Sequence, residues 1–264
     1  MNDFSFGSEH RRQCAFEAQD FQQQRVSKTR SWDRPRSKRN PDVVGILASG
    51  GLDSSILLKH MLDAGRRVKP LYVQSGLCWQ ADEKMTLEHY LAAVSVARLE
   101  PLTVLDLPLA DLYGDHWSIT GRNTPDANTP DEAVFLPGRN ALLTIKAALW
   151  CQLHGIDKLA IATLVSNPFE DASDAFFDQL EQVFNTMRPS IHFLRPFAGL
   201  NKQQVMELGQ AFPLDWTFSC IAPREGAHCG KCNKCAERQA AFRLICSKDP
   251  TQYARPAVAG RTTE

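Results

Sequence analysis

The sequence predicts an α/β protein: a doubly wound, mainly parallel, five-stranded Rossmann-like sheet with a small cysteine-rich C-terminal appendage. Three observations predict it. Apolar runs of strand length alternate with amphipathic runs of helix length through residues 41–214. The first run ends on the paired glycines Gly50-Gly51, before a helical pattern. Four cysteines then gather after Trp216, where the alternation stops. Strands separated by helices of about a dozen residues return in parallel through right-handed crossovers, which builds an open sheet covered on both faces.

Residues 1–40 are polar, rich in Gln, Arg and Ser, and show no sustained period. They read as a poorly ordered, basic N-terminal extension. Within it, Arg25, Lys28, Arg30, Arg34, Arg36, Lys38 and Arg39 face only Asp33. Such a stretch is either a solvated tail or an arm for a nucleic acid or protein partner.

Order begins at Pro41. VVGILAS (43–49) is a continuous apolar, β-branched run, as a strand buried on both faces should be. ILLKHMLDAG (56–65) is helical and stops at Gly65. KPLYVQS (69–75) is the second strand, 81–99 a helix, and LTVLDLP (102–108) the third strand. Residues 113–137 break the rhythm with Gly121, Asn123, Pro125, Asn128 and Pro130. A loop of that length in a compact domain suggests a lid over a site. Gly138-Arg139-Asn140 opens a helix running to Gly155. Strand four is 158–164, followed by a helix at 172–187, strand five at 191–196 and a helix at 202–212. Residues 41–214 thus read as one nucleotide-binding domain and 215–264 as a metal-binding segment with a last helix, AERQAAFRLIC.

Composition narrows the class. The 264 residues are 43% apolar and 23% charged with a formal net charge of zero, so no global field draws the protein to nucleic acid or acidic membranes. No stretch reaches the roughly 18 apolar residues of a membrane span, and the N-terminus lacks the apolar core of a secretory signal. The expected setting is the cytoplasm, where the eight cysteines stay reduced.

Cys220, Cys229, Cys232 and Cys235 follow the order C-x8-C-x2-C-x2-C. Two-residue gaps let neighbouring thiolates reach one ion, and Gly230 eases the turn around it. Four sulfurs suit tetrahedral Zn²⁺ in a closed, structural shell; an iron–sulfur cluster is the rival occupant. His228 reads as a group outside that shell, Lys231, Asn233 and Lys234 as surface residues, and Cys151 as helix core.

Residues 47–55, Leu-Ala-Ser-Gly-Gly-Leu-Asp-Ser-Ser, join a buried strand to a helix. Two glycines let successive amides point at one place, and the helix dipole adds to them, making an anion nest. No Gly-Lys-Ser/Thr follows, which excludes the P-loop of kinases and GTPases. Arg139 opposes the dipole at a helix start unless an anion lies nearby, which favours a binding role for it.

The Ser-Gly-Gly-Leu-Asp-Ser string resembles the pyrophosphate-loop ATPases, whose fold is that of the adenine nucleotide alpha hydrolases. With Leu136-Pro137-Gly138-Arg139-Asn140 and the four-cysteine ending, the chain resembles the 7-cyano-7-deazaguanine synthase family over roughly 42–246. The resemblance implies that Ser49, Gly50, Gly51, Leu52, Asp53 and Ser54 hold the pyrophosphate of ATP, with Mg²⁺ near Asp53. It places Arg139 and Asn140 beside nucleotide and substrate, and Lys202 on the phosphates, so that Asp53, Arg139 and Lys202 are the catalytic candidates. It implies a ligase that adenylates 7-carboxy-7-deazaguanine, admits free ammonia, and activates the resulting amide with a second ATP to form the nitrile. A homodimer and a small-molecule carboxylate partner come with it.

Two segments depart from the family pattern. Its Tyr-Pro-Asp-Cys-Arg corresponds here to Phe169-Glu170-Asp171-Ala172-Ser173, which leaves Asp171 and Phe169 as substrate candidates and removes an arginine suited to the substrate carboxylate. Ser75-Gly76-Leu77-Cys78-Trp79 replaces an aromatic-Gly-Gln-x-His pattern. Other readings therefore stay open: a relative adenylating a different carboxylate, protein or RNA; an RNA-thiolating enzyme, for which Cys78 is the sole extra thiol candidate; and a zinc-dependent nucleotide- or RNA-binding module without catalysis.

Overall fold

A computed structural model describes residues 40–254, apart from 41 and 188. The basic segment 25–39 and the rest of the expected extension lie outside the described residues. Residues 43–47, 67–74, 103–106, 158–160 and 192–194 form strands β1 to β5. All pairings are parallel, in the order β3-β2-β1-β4-β5. This is the expected doubly wound sheet, with β1 between β2 and β4.

Each strand alternates between two buried faces. Val44, Ile46, Val68 and Tyr72 point to one side, against α1 (Leu52–Asp63), α2 (Gln80–Ala93), α7 (Lys202–Leu208) and α8 (Asn233–Leu244). Val43, Leu71, Val73 and Leu159 point to the other, against α5 (Arg139–Leu153) and α6 (Asp174–Asn185). Gly45 admits α5: a Cβ there would lie 2.8 Å from the sulfur of Cys151, itself the buried core residue expected. No helix among the described residues is long and apolar enough to cross a membrane.

Several expected boundaries shift for physical reasons. The helix expected over 81–99 ends at Ala93, where Val94, Ser95 and Val96 favour leaving it. The chain then runs beside β2, with Val68 N–H donating to Arg98 O and Glu100 N–H to Val68 O. Strand four pairs over three residues only; Ile161–Thr163 continue past the sheet and line a crevice. The helix expected at 172–187 starts at Asp174, because the Ser173 hydroxyl caps it by accepting from Phe176 N–H at 3.2 Å.

Residues 113–137 are not the irregular loop expected. They hold α4 (Trp117–Thr120) and a 3-10 turn (Asp131–Val134), following α3 (Ala110–Tyr113). Their apolar side chains show no period because they pack on a point, not along a helix. Val134 and Leu136 join Leu77, Trp79, Phe218, Cys220, Cys232 and Cys235 in a third core cluster, and Trp117 stacks on Trp79 at 5.8 Å.

Candidate functional site

In an open parallel sheet, ligands bind beyond the strand C-termini where connections diverge to opposite faces. Here that point lies between β1 and β4, and a cavity of about 340 Å³ occupies it.

Its floor is the loop 49–54. Gly50 takes φ +75°, and a Cβ there would sit 3.2 Å from Glu83 O and 3.3 Å from Leu87 Cβ, so glycine alone fits. Ser49 N–H donates to Ser54 Oγ at 3.2 Å, the two hydroxyls are 3.0 Å apart, and Ser54 donates to Gly51 O at 3.3 Å. No side chain caps the N-terminus of α1. Its first-turn amides are left for a ligand, and this suits an anion. Phe218 N–H donates to Gly50 O at 2.7 Å and clamps the loop from the C-terminal segment.

Four side chains along one wall alternate in charge. Lys202 Nζ lies 2.9 Å and 2.7 Å from the Asp53 oxygens and 3.2 Å from Glu237 Oε1; Lys234 Nζ lies 2.6 Å from Glu237 Oε2. Burial penalises the Lys202 charge, but Asp53 and Glu237 outweigh it and hold the ammonium above its ordinary value. Burial likewise opposes the Glu237 charge, yet Lys234 and Lys202 pull its carboxyl down to about 2. Lys202 is thus a bridge between the loop and α8, presented by Asn201, which closes a reciprocal capping box with Gln204.

Opposite stand Arg139, Glu83 and Tyr72. Arg139 Nε is buried and has no hydrogen-bond partner. The Tyr72 hydroxyl donates to Glu83 Oε2 at 2.7 Å. Burial pushes the Glu83 carboxyl up to about 7, against the opposing pull of Arg139 and the hydrogen bonds from Tyr72 and Trp79. The hydroxyls of Thr144 and Thr163, both on the cavity wall, are also buried without partners.

Asn140 and Phe169 line the cavity, and Phe169 stacks on Phe135 at 5.0 Å. Asp171 is placed differently: its oxygens accept from Asn140 N–H at 3.1 Å and Asn140 Nδ2 at 3.0 Å, and it is not among the lining residues. Its carboxylate caps α5 and steadies Asn140. Cys78 also lies off the cavity lining, and burial pushes its thiol above the ordinary value.

The sulfurs of Cys220, Cys229, Cys232 and Cys235 lie within 4.8 Å of one another. Amides of Ala222 and Cys229 donate to Cys220 Sγ, and those of Lys231 and Cys232 to Cys229 Sγ, at 3.3–3.4 Å. Such donors favour thiolates, so the donor set fits a metal ion. His228 stays outside: Nε2 accepts from Ser219 N–H at 3.1 Å, and burial together with Arg238 lowers the imidazole to about 3. Two residues expected at the surface are not there. Asn233 is buried and donates to Thr129 O at 2.9 Å, and Lys234 lines the cavity, because Cys232 at the N-cap and Cys235 in the first turn anchor the start of α8 beside the loop.

Sequence reasoning missed Glu83, Lys234, Glu237 and Arg238. Glu83 falls on the stripe Leu87–Tyr90–Leu91 of α2, and Arg238 on the stripe Cys235–Ala241–Phe242 of α8. A charge on an apolar stripe was the available signal. Arg238 is 1% exposed and donates to Thr217, Ser219, Leu214 O and Thr251.

Known proteins resemble this chain over most of its length. The family described as "Queuosine biosynthesis protein QueC" matches residues 43–246. A 7-cyano-7-deazaguanine synthase of Methanopyrus kandleri is 32% identical over 227 residues, covering 79% of this chain and 97% of its own. That of Methanosphaerula palustris is 30% identical over 219 residues (78% and 97%), and 7-cyano-7-deazaguanine synthase 1 of Desulfitobacterium hafniense 29% over 206 residues (76% and 91%).

Proposed function

The chain belongs to the queuosine biosynthesis protein QueC family, and from that membership we propose that it is an AMP-forming carbon–nitrogen ligase acting on 7-carboxy-7-deazaguanine and ammonia. The observation that carries the reading is the convergence of Ser49, Gly51, Leu52, Asp53, Ser54, Arg139 and Lys202 on one cavity at the sheet's switch point.

The chemistry follows from that convergence. An amine cannot displace hydroxide from a carboxylate, so the oxygen must first become a leaving group. The uncapped amides of α1 and the hydroxyls of Ser49 and Ser54 receive the departing pyrophosphate. Lys202 and Arg139 stabilise charge that grows on the phosphates, the effect that usually dominates nucleotidyl transfer. Asp53 is the loop's carboxylate and the residue suited to hold Mg²⁺, which would screen the phosphate charge. Asn140 and Phe169 flank the acceptor, with Asp171 positioning Asn140. Ammonia then gives the amide, and a second ATP activates that amide for dehydration to the nitrile.

Zn²⁺ is the proposed occupant of the four-cysteine cluster, where it would tie the clamp at Phe218 and the helix bearing Lys234 and Glu237 into one piece. The enzyme is expected in the cytoplasm as a homodimer.

The test is direct. Purified protein with ATP, Mg²⁺, ammonium and 7-carboxy-7-deazaguanine should release AMP and yield the nitrile by mass spectrometry. AMP without the nitrile would redirect the reading to another carboxylate, and no AMP at all would end it.

A further inference from the structure

Glu83 makes no ion pair among the described residues, although its side chain lies on the loop that binds the nucleotide. Its Cγ is 3.6 Å from the place a Cβ on Gly50 would occupy. The residue is 9% exposed and lines the cavity. The Tyr72 hydroxyl, 2.7 Å from Oε2, fixes the carboxylate's orientation. Arg139, with its buried unpartnered Nε, stands near enough to oppose the rise in the Glu83 carboxyl yet forms no ion pair with it. A carboxylate and a guanidinium thus line one cavity without forming an ion pair. A buried carboxylate left without a cation burdens the fold, whereas a glutamine there would accept from Tyr72 equally well. Packing alone therefore gives no reason for a glutamate.

We propose that Glu83 is the catalytic proton acceptor for the nitrogen nucleophile, a role that rests on the ligase reading above. In the amide-forming step, ammonia attacks the acyl carbon of the adenylate. The C–N bond forms and the C–O bond to the adenylate phosphate breaks. AMP departs with that electron pair as the phosphate anion, and the proton shed by nitrogen passes to a Glu83 carboxylate oxygen. Arg139, on the same wall, holds the departing phosphate. The groups facing Glu83 are Tyr72 from β2, Trp79 at the start of α2 and Arg139 from α5. With its carboxyl near 7, Glu83 can take that proton and release it again close to neutral pH.

Glu83→Gln keeps an acceptor for Tyr72 and separates the two half-reactions. Adenylation is read as pyrophosphate exchange into ATP that depends on 7-carboxy-7-deazaguanine; turnover is read as amide plus nitrile at a fixed free-ammonia concentration. Exchange should stay within about threefold of wild type while turnover falls about 100-fold or more. The wild-type turnover should rise with pH through a midpoint near 7, and the variant should lack that limb. Turnover retained in Glu83→Gln, an unchanged pH limb, or equal losses in exchange and turnover would each overturn the assignment. Absence of exchange by the wild type would overturn the ligase reading itself, and the role of Glu83 with it.

Discussion

Lys202 grips both carboxylate oxygens of Asp53, at 2.7 Å and 2.9 Å, although 149 residues separate them. The contact joins the first strand-to-helix turn to the last helix before the cysteine segment. Removing Asp53 leaves Lys202 a second carboxylate in Glu237, so the wall should survive while the loop loses its charge. Asp53→Ala and Ser54→Ala should therefore stay folded by circular dichroism. AMP formation should drop at least about 100-fold, comparable to loss of one strong transition-state contact. Normal AMP release from either variant would dismantle the proposed chemistry.

Cys232→Ser takes one sulfur from a cluster that supports two separate features of the site. It should release the metal, measured by elemental analysis, and loosen the C-terminal segment. ATP binding, followed by calorimetry, should weaken in parallel, because Phe218, Lys234 and Glu237 lose their support. A metal-free variant that binds ATP normally would show the two to be uncoupled.

Arg238→Ala takes a buried, charged donor from Thr217 and Leu214 O, which keep only their hydrogen bond to each other, and leaves a void beside Phe242. A hydrogen bond from a charged group contributes about 1.5–3 kcal/mol, so losing these two should cost at least about 3 kcal/mol in chemical denaturation. Metal content in the surviving folded fraction should be unchanged.

Asp171→Ala should cost about 1–2 kcal/mol, as removal of a helix cap does. Since Asp171 steadies Asn140 without lining the cavity, Asp171→Asn should restore most of the stability and most of the affinity for the carboxylate substrate. A selective, unrescued rise in that substrate's KM would instead put Asp171 in contact with it.

Glu83 also makes a prediction about stability. Its folded-state carboxyl titrates near 7, above the ordinary 4.5, so between those values the folded chain binds more protons than the unfolded chain. Stability is accordingly lost as pH rises through this window, by about 3 kcal/mol once Glu83 is fully ionised. Glu83→Gln lacks this loss. Its advantage over wild type in denaturant midpoint should be small near pH 5 and grow towards pH 8. A constant difference across that range would contradict a buried, raised carboxyl.

The parts of this protein that were legible in sequence are those with a repeat or a local signature. The apolar run 43–47, the helix stops and the x2 cysteine gaps each depend on neighbours in the chain. So does the turn at 49–54, where the whole Ser-Gly-Gly-Leu-Asp-Ser string between a strand and a helix marks the candidate anion site. The rest depends on distant partners. Residues 113–137 read as loop because Trp117, Val134 and Leu136 pack around the cysteines and not along a helix face. Lys234 read as surface because nothing local says that α8 points at the cavity. The pairing of Asp171 with Asn140, 31 residues away, likewise carries no sequence mark.

The hydrogen bond from Phe218 to Gly50 also bears on how the enzyme comes into being. The ribosome releases the loop while most of the chain is still unmade, and its clamp arrives near the end. At about 5–20 residues per second that interval is on the order of ten seconds. During it the nascent chain holds an unfinished nucleotide site lacking Lys202, Lys234 and the clamp. Chains terminated before Phe218 would therefore lack both the clamp and the wall bearing Lys234 and Glu237, and should bind ATP weakly.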